Sequence, residues 1–130
     1  MRSLIFDIET DGLVEDCTKV HCIVIYDIEK DKMLSFTGEE KLDGLFLLKN
    51  FSRIIGHNII SFDIPALEKI YKWQPDSKQE IIDTLVISKL VYPDRAVRDA
   101  KNKSIDRDQY GRHSLKSWGQ RLGFTKGDYT

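Results

Sequence analysis

The 130-residue sequence is poor in cysteine (two), proline (three), histidine (three) and methionine (two), and its acidic and basic side chains nearly cancel, at a formal charge of -1. Cys17 and Cys22 have neither metal-ligand nor redox spacing, and Cys22 falls in an apolar strand-like pattern as a small core residue. No apolar run is long enough to span a bilayer, which excludes a membrane-spanning helix. Met1 leads almost directly into a strand-like segment, leaving no room for a secretory leader, so a reducing cytoplasm is expected. Global charge this close to zero neither demands nor excludes a nucleic-acid partner. Repeats, low-complexity tracts and linkers are absent too. What remains is ordinary globular composition, 32% charged and 41% hydrophobic, in a chain long enough for one domain with a real core.

Residues 3–9 carry apolar side chains on both faces, as a central strand covered on both sides does. Residues 20–28 and 32–37 read as two further strands, joined by the polar turn Glu29-Lys30-Asp31. Glu39 to Asn50 is helix-like, with Leu42, Leu45 and Phe46 at helical spacing. Residues 53–57 form a short strand. Ser61 to Lys72 reads as a helix with Ile64, Leu67 and Tyr71 on one stripe. Glu80-Ile81-Ile82 is a strand, feeding a helix over 84–91 with Ile87, Leu90 and Val91 inward. Pro93 to Arg112 is polar and aperiodic, and reads as a mobile loop. Ser114 caps a last helix carrying Leu115, Trp118 and Leu122, which Gly123 stops. Three strands followed by alternating helices and strands predict an α/β mixed sheet: an antiparallel meander joined to parallel crossovers.

The densest chemistry sits at the end of the first strand, in Asp7-Ile8-Glu9-Thr10-Asp11-Gly12-Leu13. A strand sends residues i and i+2 to the same face, so Asp7 and Glu9 project side by side. Two like charges held on a rigid sheet call for a cation, and carboxylate oxygens suit Mg²⁺ or Mn²⁺. The alternative is a pair of solvated acids at a strand end. A third acid, Asp63, stands at a helix start after the strand and loop of Gly56-His57-Asn58-Ile59-Ile60-Ser61-Phe62. An N-cap is the local reading of Asp63, with Pro65 just inside the helix; Ser61 is an alternative cap that would leave the acid free.

DIETDGL on a first strand, HNIISFDIPAL at a strand–loop–helix, IIDTLVISKLV and GRHSLKSWGQRLGFTKGDYT follow one another over nearly the whole chain. Together they resemble the 3′–5′ proofreading exonuclease domain of family A DNA polymerases, in particular those of podovirus-type phages. The resemblance implies a ribonuclease-H-like fold: the same mixed sheet, flanked by helices. It also implies four carboxylates binding two divalent ions, Mg²⁺ or Mn²⁺, that hydrolyse the 3′-terminal phosphodiester. Asp7 would bridge both ions, Glu9 would hold the ion beside the attacking water, and Asp63 would serve the leaving-group side. Two ions about 4 Å apart suit an in-line displacement because they stabilise the attacking and departing oxygens.

By the same resemblance, Thr10, Leu13, Asn58 and Phe62 would contact the terminal nucleotide, with Phe62 stacking on a base or sugar. For Phe62 and Leu13 a place in the core is the alternative. Arg112 and His113 match a pair lying near the substrate strand, Arg112 toward phosphate; a loop Arg and a helix-edge His are the alternatives. The basic side chains between Arg95 and Arg112 read either as a track for single-stranded DNA or as a solvated loop. Asp83 and Thr84 match a family pair and read as structural helix-start residues, with Asp83 a candidate for support behind the acids. His21 reads as structural.

The family pattern has one more motif, a helix carrying a Tyr or His and then the fourth carboxylate. It follows the segment that LGFTKGDYT matches, and the sequence ends at Thr130 before it. Asp128 and Tyr129 match the loop preceding that helix. The expectation is thus one exonuclease-like domain over residues 1–130, cut short before the fourth acid and leaving an apolar face near the first strand and the 115–122 helix. Expected partners are single-stranded DNA or DNA 3′ ends, and a polymerase chain or second copy covering that face. The alternatives are a weak or inactive nucleic-acid-binding module associated with a polymerase, and a ribonuclease of the same fold.

Overall fold

The computed structural model describes residues 2–124. The order is β1 (Ser3–Thr10), β2 (Val20–Asp27), β3 (Lys32–Thr37), α1 (Lys41–Leu48), β4 (Arg53–Gly56), α2 (Ile64–Tyr71), β5 (Glu80–Asp83), α3 (Thr84–Val91), α4 (Arg95–Asp99) and α5 (Leu115–Leu122). Contacts gather into two compact units, one ending at Thr84 and the other beginning at Leu85.

The first unit is a five-stranded mixed sheet in the order β3-β2-β1-β4-β5. β1, β2 and β3 form the antiparallel meander, while β4 and β5 run parallel to β1. The β2–β3 turn is held by Asp27, whose Oδ1 accepts from the N–H groups of Glu29 and Lys30, both at 3.2 Å. Leu4, Phe6 and Ile8 of β1 join Ile23 and Ile25 of β2, Ile54 of β4, Leu45 and Leu48 of α1, and Ala66 and Leu67 of α2 in one core. The opposite face of β1 is not covered as its unbroken apolar run predicts. Ile5 is 43% exposed, and Asp7 and Glu9 are exposed, because α1 and α2 pack on the Leu4–Phe6–Ile8 side.

Helix α1 is shorter than its pattern and turned differently. A 3₁₀ turn occupies Gly38–Glu40, and the inward residues are Gly44, Leu45 and Leu48, with Leu42 and Phe46 exposed. Gly44 lets the helix approach β3 closely, since a Cβ there would meet the Phe36 ring at 3.0 Å. The predicted 61–72 helix splits into a π turn over Ile59–Asp63 and α2.

In the second unit, α3 has its predicted bounds, but Ile87, Leu90 and Val91 are exposed and Ser88 is buried. The 93–112 stretch is not a solvated mobile loop. It forms α4 and a 3₁₀ turn at Arg107–Gln109, and buries Asp99, Ile105 and Gln109. Its order comes from charge: Arg121 Nε and Nη2 donate to Asp99 Oδ1 and Oδ2 at 2.8 and 2.7 Å, and the Gly111 N–H donates to Oδ2 at 2.9 Å. Arg121 lies over the Trp118 ring, and Arg95 reaches Asp99 Oδ1 at 3.3 Å. Helix α5 starts and stops as predicted, with Ser114 Oγ accepting from Ser117 N and Gly123 at φ 83°. Its buried residues are Ser117 and Arg121, whereas Leu115 and Leu122 are exposed.

Candidate active site

The site is built where the parallel ladder between β1 and β4 stops. That ladder pairs Ser3, Leu4 and Ile5 with Arg53, Ile54 and Ile55. Continued in register it would set Asn58 opposite Ile8. Instead Asn58 takes a left-handed conformation, φ 63°, and the chain leaves the sheet. Gly56 permits the exit, because a Cβ there would fall 2.2 Å from Ile59 Cγ2 and 3.0 Å from the Phe6 carbonyl oxygen. The π turn then delivers Asp63, whose Oδ2 accepts the Ile8 N–H at 3.1 Å. A side chain thereby fills the ladder position that the departing strand leaves open. Asp63 is 2% exposed, so N-capping is not its role, and it makes no side-chain bond to its own helix start.

Asp7 and Glu9 flank Ile8 on the exposed face of β1. Loss of hydration raises the Asp7 pKa even though its carboxyl has an open side, and the Glu9 charge raises it further. Asp63 is pushed up to about 7, first by burial, then by the charge of Asp7, with Asp83 contributing. The acids are thus coupled in a place short of positive charge. Their donor set, hard carboxylate oxygens with unbalanced negative charge, fits a divalent cation such as Mg²⁺ or Mn²⁺. The coupling is pairwise: among the described residues no three His, Cys, Asp or Glu side chains gather closely enough to hold an ion.

The loop after β1 is folded on itself. Thr10 Oγ1 donates to the Gly12 carbonyl at 2.6 Å. Asp11 accepts from the Thr18 hydroxyl and from the N–H groups of Thr18 and Lys19, which lowers its pKa, the hydroxyl most of all. Leu13 is 67% exposed and is not the core residue of the alternative reading. Phe62 is half-buried against the core. In the second unit, Arg112 is exposed while its carbonyl accepts from Ser117 Oγ and Arg121 Nη2, and His113 Nδ1 lies 2.5 Å from Ser88 Oγ. Asp128 and Tyr129 lie outside the described residues.

Asp83 carries more than a helix start requires. Its Oδ1 accepts from Asn58 N at 2.8 Å and its Oδ2 from Ile60 N at 3.0 Å, while it is 4% exposed. The resemblance had marked Asp83 as a candidate for support behind the acids; the residues alone offered only a carboxylate at the end of a strand otherwise apolar over Ile81-Ile82.

Residues 4–126 match the RNase_H superfamily. The chain is 35% identical over 138 residues to a DNA-directed DNA polymerase of Enterobacteria phage T3, with 97% of the chain and 20% of the relative covered. It is 33% identical, over the same length and coverage, to that of Escherichia phage T7. The chain therefore spans about a fifth of the length of the curated relatives it matches. A structure of E. coli exonuclease I in complex with a 5cy-dT13 oligonucleotide superposes with a TM-score of 0.66 at 16% identity, over 96% of this chain and 36% of the other. The expected ribonuclease-H-like fold and the resemblance to phage DNA polymerases both hold.

Proposed function

The chain belongs to the RNase_H superfamily, and we propose that its first unit carries a metal-dependent 3′–5′ exonuclease site acting on single-stranded or frayed DNA. The observation carrying this reading is the buried Asp63 carboxylate, fixed on the Ile8 N–H between Asp7 and Glu9. Asp7, Glu9 and Asp63 would hold two divalent ions. Bound there, the ions supply positive charge to the oxygens of the scissile phosphate and make the attacking water more acidic.

The protein's own part is placement. β1 fixes Asp7 and Glu9 on one face at a rigid spacing, and the Ile8 N–H fixes Asp63. The exposed acids leave the approach open to the end of a polymer. The proposal gives Leu13, exposed on the folded loop, the task of wedging a terminal nucleotide, with Thr10, Asn58 and Phe62 bordering it. Arg112 and His113 are the proposed contacts to the substrate strand. A base stacked on Phe62 would contribute about 1–3 kcal/mol. The proposed setting is the cytoplasm of a phage-infected cell, beside a polymerase chain or a second copy; no helix among the described residues is long and apolar enough to cross a membrane.

A binding module without turnover is the second reading, favoured by the absence of a gathered three-acid set among the described residues. One experiment separates the two. DNA labelled at its 5′ end is incubated with the protein in Mg²⁺, in Mn²⁺ and in chelator, with Asp7→Ala alongside. Stepwise shortening that needs metal and Asp7 supports the exonuclease; tight binding with intact DNA in both metals supports the module. An RNA strand of the same sequence reports any ribonuclease activity.

A further inference from the structure

We propose that Asp83 is a positioning residue for Asp63: it holds the stretch from Asn58 to Ile60, just ahead of Asp63, in the path that brings the Asp63 carboxylate to β1. This rests on the reading of Asp63 as an ion-holding acid. Asp83 ends β5, the strand beyond β4. It grips the exit from β4 at two backbone points, Asn58 N and Ile60 N, with both of its oxygens engaged. Asn58 is the left-handed residue that takes the chain out of the ladder, and Ile60 is the second residue of the π turn ending at Asp63. The far end of the same turn is held by Asp63 on Ile8 N. The π turn is therefore clamped at both ends by carboxylates, one from β5 and one its own. π turns are rarely stable unaided, so the clamps decide where the turn sits. Ile59, the first residue of the turn, is fully buried and seats the turn in the core.

Asp83→Asn keeps an oxygen for one N–H and sets an amide NH₂ against the other. The inference is tested by amide hydrogen exchange on the metal-free protein and by Mn²⁺ titration. Asp63→Asn is the reference for a lost ion-holding acid. In Asp83→Asn the Ile8 amide is expected to exchange at least tenfold faster, along with those of Asn58 and Ile60, while the other β1–β2 amides keep their protection. Mn²⁺ affinity is expected to fall 10- to 100-fold, as it does when groups orienting a metal ligand are removed. A purely local cap would expose Asn58 and Ile60 and leave Ile8 and the Mn²⁺ affinity unchanged, and that result overturns the proposal. Should Asp83→Asn not fold, the wild type decides. Asn58, Ile60 and Ile8 should then open together, with one free energy and one denaturant slope; separate openings refute the coupling. A wild type that binds no Mn²⁺ refutes the exonuclease reading instead, and the exchange of Ile8 still judges Asp83.

Discussion

Protonating Asp99 should loosen the second unit. Its side chain is fully buried, and the Arg121 side chain paired with it is 1% exposed. Arg121 first, then the Gly111 N–H and the charge of Arg95, hold the Asp99 pKa down to about 2 despite burial. An Asp in the unfolded chain titrates near 3.9. A folded pKa below the unfolded one gives stability that is complete above about pH 5 and drains away as pH falls toward 2. The full linkage is about 2.6 kcal/mol, and solvent reaching the pair past the partly open Arg95 side chain trims it to about 2 kcal/mol. Asp99→Asn should be worse at neutral pH, by about 3–5 kcal/mol, because it leaves the Arg121 cation buried without its counter-charge. The assay is urea unfolding at intervals from pH 7 to pH 2, followed by tryptophan fluorescence in a Trp73→Phe background, so that Trp118 reports its own unit. The gap between wild type and Asp99→Asn should narrow by about 2 kcal/mol between pH 5 and pH 2. Two curves that fall in parallel would show that Asp99 is not the group being titrated.

Gly56→Ala should destabilise the first unit by about 2–3 kcal/mol, because its methyl collides with the buried Ile59 and the Phe6 carbonyl; a melting temperature within a degree of wild type would contradict that geometry. Mn²⁺ at a hundredfold excess over Kd should add about 2.7 kcal/mol to the stability of the wild type and nothing to Asp7→Ala, as read by thermal unfolding. Equal gains in both would place the ion elsewhere. Ser114→Ala removes the acceptor for Ser117 N and should cost about 1 kcal/mol, whereas Ser114→Asp should hold wild-type stability; loss in both would point away from capping.

Strands were legible wherever apolar and β-branched residues ran together. Leu4-Ile5-Phe6 and Ile23-Val24-Ile25 marked β1 and β2, and the period of two placed Asp7 and Glu9 on one face. Local chemistry also marked both ends of α5, through Ser114 and Gly123. The buried side was legible in α2, where Ile64, Leu67 and Tyr71 pack on the core as expected, but not in the other helices. Eight residues make little more than two turns, and in α1, α3 and α5 an apolar stripe chosen by spacing left Phe46, Leu90 and Leu122 in solvent. The order of residues 93–112 was hidden for another reason. It depends on a buried ion pair between residues 22 apart, Asp99 and Arg121, whose side chains read individually as solvated. Asp83 was marked only through the resemblance; its bonds to Asn58 N and Ile60 N depend on β5 lying next to β4, a relation that spacing along the chain does not carry.

The borrowed rung at Ile8 makes the length of β4 a control on chemistry. Had β4 run on by a few residues, its own carbonyls would have claimed that N–H and evicted Asp63 to solvent, leaving a better-zipped sheet without its third acid. The short strand keeps one link of the sheet exchangeable. The Asp63–Ile8 bond stands apart from the three β1–β4 pairs upstream, which close without it. An insertion that lengthens β4 would therefore silence the site while stiffening the fold, and the two effects would trace to the same amide.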